Sequence, residues 1–202
     1  MTAGGICIFG GSFDPVHKGH KKLALFVAER LQLRKMLIIP AGLSPFKKST
    51  GADEEQRLAM CRLAFPEDIF EISDIEIRRG GKSYTVDTVA AVKELYPDEK
   101  IYLLIGSDQL LSFDRWYRYR DILSEVTLVS VSRESCTETE TLSVFADEKL
   151  RPYGECMIFD FDAFEVSSTF LRKRLSAGDD VSEYVDKDVF AYIQKEGLYK
   201  NE

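Results

Sequence analysis

Short apolar runs recur along this chain with helical patterns between them, and that alternation limits the fold more than any other feature. Ile6-Cys7-Ile8-Phe9 and Lys35 to Ile39 read as buried strands, the first stopped by Gly10-Gly11 and the second by Pro40. Ile101 to Ile105 is the clearest central strand, and Val126 to Val131 and Met157 to Phe161 repeat the pattern. Ile69 to Ile72 and Ile75 to Ile77 are strand-like as well. Between these runs, Leu23, Phe26, Val27 and Leu31 recur at helical spacing. Asp53 with Gln56 forms a capping box that opens a helix through about Phe65, before Pro66. Another helix opens with Thr85 or Ser83 as N-cap and closes at Pro97, and Val181 to Leu198 gives a last one. Ser132 to Thr141 is polar and reads as a loop. Strands alternating with helices specify an α/β fold: a doubly wound, mostly parallel sheet with helices on both faces. The 202 residues fit one domain, 1–202, whose C-terminal helical part begins near residue 167.

A net charge of −7 argues against non-specific nucleic-acid binding, so a bound anion has to be held by local charge. Cys7, Cys61, Cys136 and Cys156 are widely spaced with no C-x-x-C pair, which fits reduced thiols in a cytoplasm. No charged leader with a long apolar region opens the chain, and no run approaches 18 apolar residues, so neither a signal peptide nor a membrane span is expected.

Both histidines fall in one stretch, Phe9-Gly10-Gly11-Ser12-Phe13-Asp14-Pro15-Val16-His17-Lys18-Gly19-His20, between the first strand and the first helix. At such a turn the free N–H groups and the dipole of the new helix favour a phosphate. Gly10 and Gly11 carry no Cβ and let backbone approach a ligand. His17 and His20, three apart, leave the same side of a helical first turn, with Gly19 removing bulk where an anion would lie. The combination describes a polyphosphate clamp. Competing readings are a tight connection only, a metal site of Asp14, His17 and His20, and two satisfied core histidines, which glycine and lysine neighbours disfavour.

Further candidates fall at strand ends and helix starts. Lys47 and Lys48 follow the second strand, where open α/β sheets bind ligands, although solvated surface is the ordinary place for a lysine pair. Gly106, Ser107 and Asp108 leave the carboxyl end of the central strand. Trp116 has two readings, core packing and binding. Ser167 or Ser168 caps a late helix, and Ser168 and Arg172, four apart, face one way at its start, where hydroxyl and guanidinium suit phosphate oxygens.

Gly10-Gly11-Ser12-Phe13-Asp14-Pro15 followed by His17-x-Gly19-His20 resembles the signature of the HxGH-motif nucleotidyltransferase superfamily. Val166-Ser167-Ser168-Thr169-Phe170-Leu171-Arg172 is similar to that superfamily's second motif. Pro45-Phe46-Lys47, Ser83-Tyr84-Thr85-Val86-Asp87-Thr88, and Gly106-Ser107-Asp108 followed by Trp116 resemble, within it, the nicotinate-nucleotide adenylyltransferases. Phe46 stands where many members carry histidine, and Val166 where isoleucine is common.

The resemblance implies a Rossmann-like sheet and transfer of AMP from ATP to nicotinate mononucleotide, giving the dinucleotide and pyrophosphate, with Mg²⁺ on the phosphates. It implies His17, His20, Lys47 and Arg172 as catalytic groups, and Gly10, Gly11, Ser12, Phe13, Gly106, Asp108, Ser167, Ser168 and Thr169 around ATP. Ser12, Lys47, Tyr84, Thr85, Trp116 and Tyr117 would meet nicotinate mononucleotide, with the ring against Trp116. No protein ligand set for a metal, no nucleic acid and no membrane is implied. The rival readings are a sister transferase acting on nicotinamide mononucleotide or pantetheine phosphate, a non-catalytic nucleotide sensor, and a metal-dependent phosphohydrolase.

Overall fold

A computed structural model of the chain describes residues 4–42, 51–132 and 136–200. Strands and helices alternate as β1 (Ile6–Gly11), α1 (Lys18–Arg30), β2 (Lys35–Pro40), α2 (Glu54–Ala64), β3 (Phe70–Ile72), α3 (Ile75–Arg79) and α4 (Thr85–Leu95). They continue as β4 (Ile101–Ile105), α5 (Ser107–Leu110), α6 (Tyr119–Glu125), β5 (Thr127–Ser132), α7 (Cys136–Lys149), β6 (Cys156–Asp160), α8 (Ser168–Ser176) and α9 (Lys187–Glu196). The six strands pair in parallel in the order β3-β2-β1-β4-β5-β6. This is the order of two mononucleotide-binding halves that meet between β1 and β4.

Successive strand residues face opposite sides of a sheet. Cys7, Phe9, Met36, Ile38 and Leu104 bury on the face covered by α1, α2 and α9. Ile6, Ile8, Leu37, Ile39 and Leu103 bury on the other, against Val89 of α4, Ile122 of α6 and Leu142 of α7. Both faces are covered, which is why the strands read as unbroken apolar runs rather than alternating ones. Cys7, Cys61 and Cys156 are free and buried. Burial pushes the Cys156 thiol up to about 11 and the Cys7 and Cys61 thiols further up. No helix among the described residues is long and apolar enough to cross a membrane.

Four sequence expectations need correction. Ile75 to Ile77 is the first part of α3 rather than strand: Glu76 turns inward and accepts a 2.7 Å bond from the Thr88 hydroxyl. Ser132 to Thr141 is not wholly loop, because α7 begins at Cys136 and Thr139 uses its hydroxyl to bond Ser132 and Asp160 at the edge of the sheet. The last helix is shorter than 181–198, opening at Lys187 and closing on Gly197, whose φ of 63° is left-handed. The N-cap of α4 is Tyr84, without a side-chain cap bond, rather than Ser83 or Thr85.

Candidate active site

The cleft begins where β1 and β4 part. Their pairing ends at Phe9↔Leu104, whereas β1 runs on against β2 as Gly10↔Ile39 and Gly11↔Pro40. The carboxyl ends of the two strands therefore diverge at the point where the sheet order reverses, the crevice in which such sheets take ligands. Beyond it, Phe13 holds a φ of 47°, left-handed and strained for a bulky residue. Its buried ring packs edge-on to Phe9 and His20, with centroids at 5.4 and 5.0 Å, which compensates that backbone.

The histidine pair is a helix cap as well as a pair of donors. His17 is the N-cap of α1: its Nδ1 accepts from the His20 backbone N–H at 3.2 Å, and His20 Nδ1 accepts from the His17 N–H at 3.3 Å. This is a capping box built from imidazoles. An imidazole nitrogen that accepts carries no proton, so a neutral ring at either position bears its proton on Nε2. The two rings stack with centroids 3.6 Å apart at 18°. Two first-turn N–H groups are engaged internally, His20 N–H in the box and Lys18 N–H on the Tyr184 carbonyl at 2.8 Å. The helix start therefore offers a ligand fewer backbone donors than the sequence suggested. Gly19 gives room for the chain itself: a Cβ there would lie 3.1 Å from His17 Nδ1, the Phe164 carbonyl and Val166 Cγ1.

The late motif docks on this turn. Ser167 caps α8 by accepting from the Phe170 N–H at 3.2 Å, Ser168 donates its hydroxyl to the Pro15 carbonyl at 3.0 Å, and Arg172 Nη1 donates to the Asp14 carbonyl at 2.7 Å. Asp14 is not oriented as a companion ligand of the histidines. Its carboxylate accepts from the Gly51 and Ala52 N–H groups and the Tyr199 hydroxyl. Among the described residues no three His, Cys, Asp or Glu side chains gather to hold a metal ion.

Two cavities share Ser12 in their linings. One, of about 300 Å³, is lined by Ser12, His17, His20, Gly106, Asp108, Ser167, Ser168 and Thr169, so residues from both motifs share a single space. The other, of about 210 Å³, is lined by Gly10, Gly11, Ser12, Thr85 and Trp116. Trp116 is held by Phe113, with ring centroids 4.8 Å apart, and keeps part of its surface on the cavity. Tyr84 and Tyr117 lie against each other at 4.9 Å and contribute to neither lining, as do Phe13, whose ring is core, and Arg172, which reaches the turn from α8. Lys47, with Pro45, Phe46 and Lys48, lies outside the described residues.

Several lining groups were not among the site residues expected from the sequence. Glu76, Ser83, Thr88 and Gln109 also line the second cavity, where the Ser83 hydroxyl is shielded from solvent with no hydrogen-bond partner among the described residues. Thr88 links Glu76 to Arg79, which donates to its hydroxyl at 3.0 Å. Helical spacing would have turned Glu76 inward, where alternation placed it outside. Arg57, only 1% exposed, donates Nη1 to the Ser12 carbonyl at 3.1 Å and so carries a buried cation beneath the turn. A buried arginine in an amphipathic helix leaves no distinct sequence signal.

Residues 8–174 match the cytidylyltransferase-like family model. Full-length relatives include a probable nicotinate-nucleotide adenylyltransferase of Carboxydothermus hydrogenoformans, 34% identical and covering 99% of this chain and 100% of its own length. A protein of the same description from Gemmatimonas aurantiaca is 36% identical, covering 96% of this chain and 91% of its own. The chain is an enzyme of the nucleotidyltransferase class. It belongs to the nicotinate-nucleotide adenylyltransferase family within that wider group. Among solved structures, the Plasmodium falciparum nicotinic acid mononucleotide adenylyltransferase complexed with NaAD superposes with a TM-score of 0.80 at 20% identity, over 98% of both chains. That likeness attests the fold.

Proposed function

We propose that the protein transfers AMP from ATP to the 5′-phosphate of nicotinate mononucleotide, giving nicotinate adenine dinucleotide and pyrophosphate. One observation carries the reading: a cavity that joins both motifs shares Ser12 with a second cavity bearing Trp116 and Thr85. A triphosphate in the first and a pyridine nucleotide in the second would bring the acceptor phosphate to the α-phosphorus near Ser12. The acceptor is already ionised at neutral pH, so attack needs neither a general base nor a protein nucleophile. What remains is positioning and charge stabilisation. His17 and His20 would offer Nε2–H donors to phosphate oxygens, His20 most strongly as charge develops on the α-phosphoryl group. Lys47 and Arg172 would neutralise transferring and leaving phosphates, and Ser167, Ser168 and Thr169 would line the ATP side with Gly106 and Asp108. The Gly10 to Phe13 backbone would hold the bridging region. The nicotinate ring would lie on Trp116, its carboxylate facing backbone donors near Thr85 and Tyr117, with Tyr84 alongside.

Asp108 supplies one carboxylate to the triphosphate cavity, which fits Mg²⁺ held chiefly by substrate oxygens and water. When bound, Mg²⁺ would neutralise the departing pyrophosphate. The relatives' names support the pyridine acceptor over pantetheine phosphate. The test is to incubate the protein with ATP, Mg²⁺ and nicotinate mononucleotide, nicotinamide mononucleotide or pantetheine phosphate in turn. Pyrophosphate and dinucleotide in equal amounts, fastest with the nicotinate form, are expected. Equal rates on both pyridines would overturn the acid preference, and no pyrophosphate with any acceptor would overturn the transfer reading.

A further inference from the structure

We propose that Asp14 and Tyr199 form a positioning pair, in which Tyr199, beyond α9, fixes the turn on which Arg172 of α8 rests and thereby sets the phosphate-binding geometry. Neither residue lines either cavity. Asp14 is 2% exposed, and a carboxylate taken out of water needs its oxygens satisfied. Its Oδ1 accepts from the Tyr199 hydroxyl at 2.8 Å and the Ala52 N–H at 3.0 Å, and its Oδ2 accepts from the Gly51 N–H at 2.8 Å. Arg172 Nη1 sits 3.8 Å from Oδ2 while donating to the Asp14 carbonyl at 2.7 Å.

Three separate parts of the chain thus converge on Asp14 in the phosphate turn: the residues just before α2, the body of α8 and the segment after α9. Tyr199 reaches Asp14 across 185 residues of sequence. It does so buried, at 4% exposure, and with a left-handed φ of 65°. A non-glycine residue persists in that conformation only when its surroundings over-determine it. The buried ring and the charge-assisted bond to Asp14 supply that constraint. Removing the hydroxyl leaves Oδ1 with the Ala52 N–H and loosens the turn on which the Arg172 guanidinium and the Ser168 hydroxyl both rest.

The inference deepens the transfer reading and rests on it for the role of Arg172. It is tested by a double-mutant cycle of Tyr199→Phe with Arg172→Lys, read as ATP affinity by calorimetry, which needs no turnover, and as kcat/KM from pyrophosphate release. Tyr199→Phe alone should weaken both by about tenfold, and in the Arg172→Lys background by no more than about twofold. Asp14→Asn should likewise make Tyr199→Phe nearly silent. Equal losses in both backgrounds, or a loss that only tracks the unfolded fraction by circular dichroism at the assay temperature, would overturn the pair. An inactive wild-type protein would overturn the transfer reading instead, and the affinity cycle would still decide whether Tyr199 acts through Arg172.

Discussion

The Ser168 hydroxyl donates to the Pro15 carbonyl at 3.0 Å, a bond between residues 153 apart in sequence. It locks the start of α8 against the turn that precedes the histidine pair, so the two motifs hold one another's shape before any nucleotide arrives. A partly buried hydrogen bond of this kind contributes about 1 kcal/mol net. Ser168→Ala should therefore lower the melting temperature by about 2–4 °C in a chain of this size. It should also raise the KM for ATP while leaving the KM for the pyridine nucleotide unchanged, since Ser168 lines only the first cavity. Calorimetry and steady-state kinetics check both.

His20 serves two purposes that mutation separates by magnitude. Its Nδ1 closes half of the capping box of α1, and loss of a cap costs about 1 kcal/mol. If its Nε2–H follows charge that develops only at the transition state, His20→Ala should lower kcat by about 10² to 10³ with little change in KM. A variant with near-full turnover and only a lowered melting temperature would reduce His20 to a cap.

Trp116 lines the second cavity and not the first. Trp116→Ala is expected to raise the KM for nicotinate mononucleotide more than it lowers kcat, with the KM for ATP unaffected, because a stacking surface acts equally on ground and transition states. Initial-rate measurements with each substrate varied in turn read this directly, and a kcat effect larger than the KM effect would count against stacking.

Much of this arrangement is legible along the sequence, and what is not has a common cause. The strand β4 appears at its full bounds, Ile101–Ile105, because a strand buried on both faces is an uninterrupted apolar run. Asp53 and Gln56 announce the start of α2 through chemistry local to four residues, and the structure shows both bonds of their capping box. Ile75 and Ile77 mislead, since two apolar residues flanking a polar one satisfy strand alternation as well as a short helix. Only the distant Thr88 decides which way Glu76 faces. Ser167 to Thr169 and the histidine pair are legible as groups, yet nothing in either segment reveals that α8 bonds the carbonyls of Asp14 and Pro15. Tyr199 on Asp14 is hidden for the same reason: a contact across 185 residues leaves no periodicity to read.

The buried thiols give the protein a pH limit on its alkaline side. Burial raises Cys7, Cys61 and Cys156 above the ordinary cysteine range near about 8.5, which the unfolded chain retains. Below that range both states hold their protons and the thiols contribute no pH dependence. Above it the unfolded chain releases protons that the folded chain keeps, so unfolding becomes more favourable as pH rises. Stability should fall between about pH 8.5 and 11, and these three thiols should resist alkylation until the chain unfolds. Urea titrations at several pH values and thiol labelling before and after unfolding read the two effects. Rapid labelling of all three in the folded protein would contradict the burial.

The chain holds two histidines, both in the proposed triphosphate site, so its imidazole resonances report on that site alone. The decisive measurement is a titration with ATP followed by histidine nuclear magnetic resonance, in the wild-type protein and in Arg172→Ala. The account predicts that both free rings carry their proton on Nε2, that both shift along one binding curve, and that Arg172→Ala weakens that curve by about tenfold or more. Saturating ATP that leaves either ring unmoved, or a curve indifferent to Arg172→Ala, would contradict the convergence of the two motifs on one triphosphate.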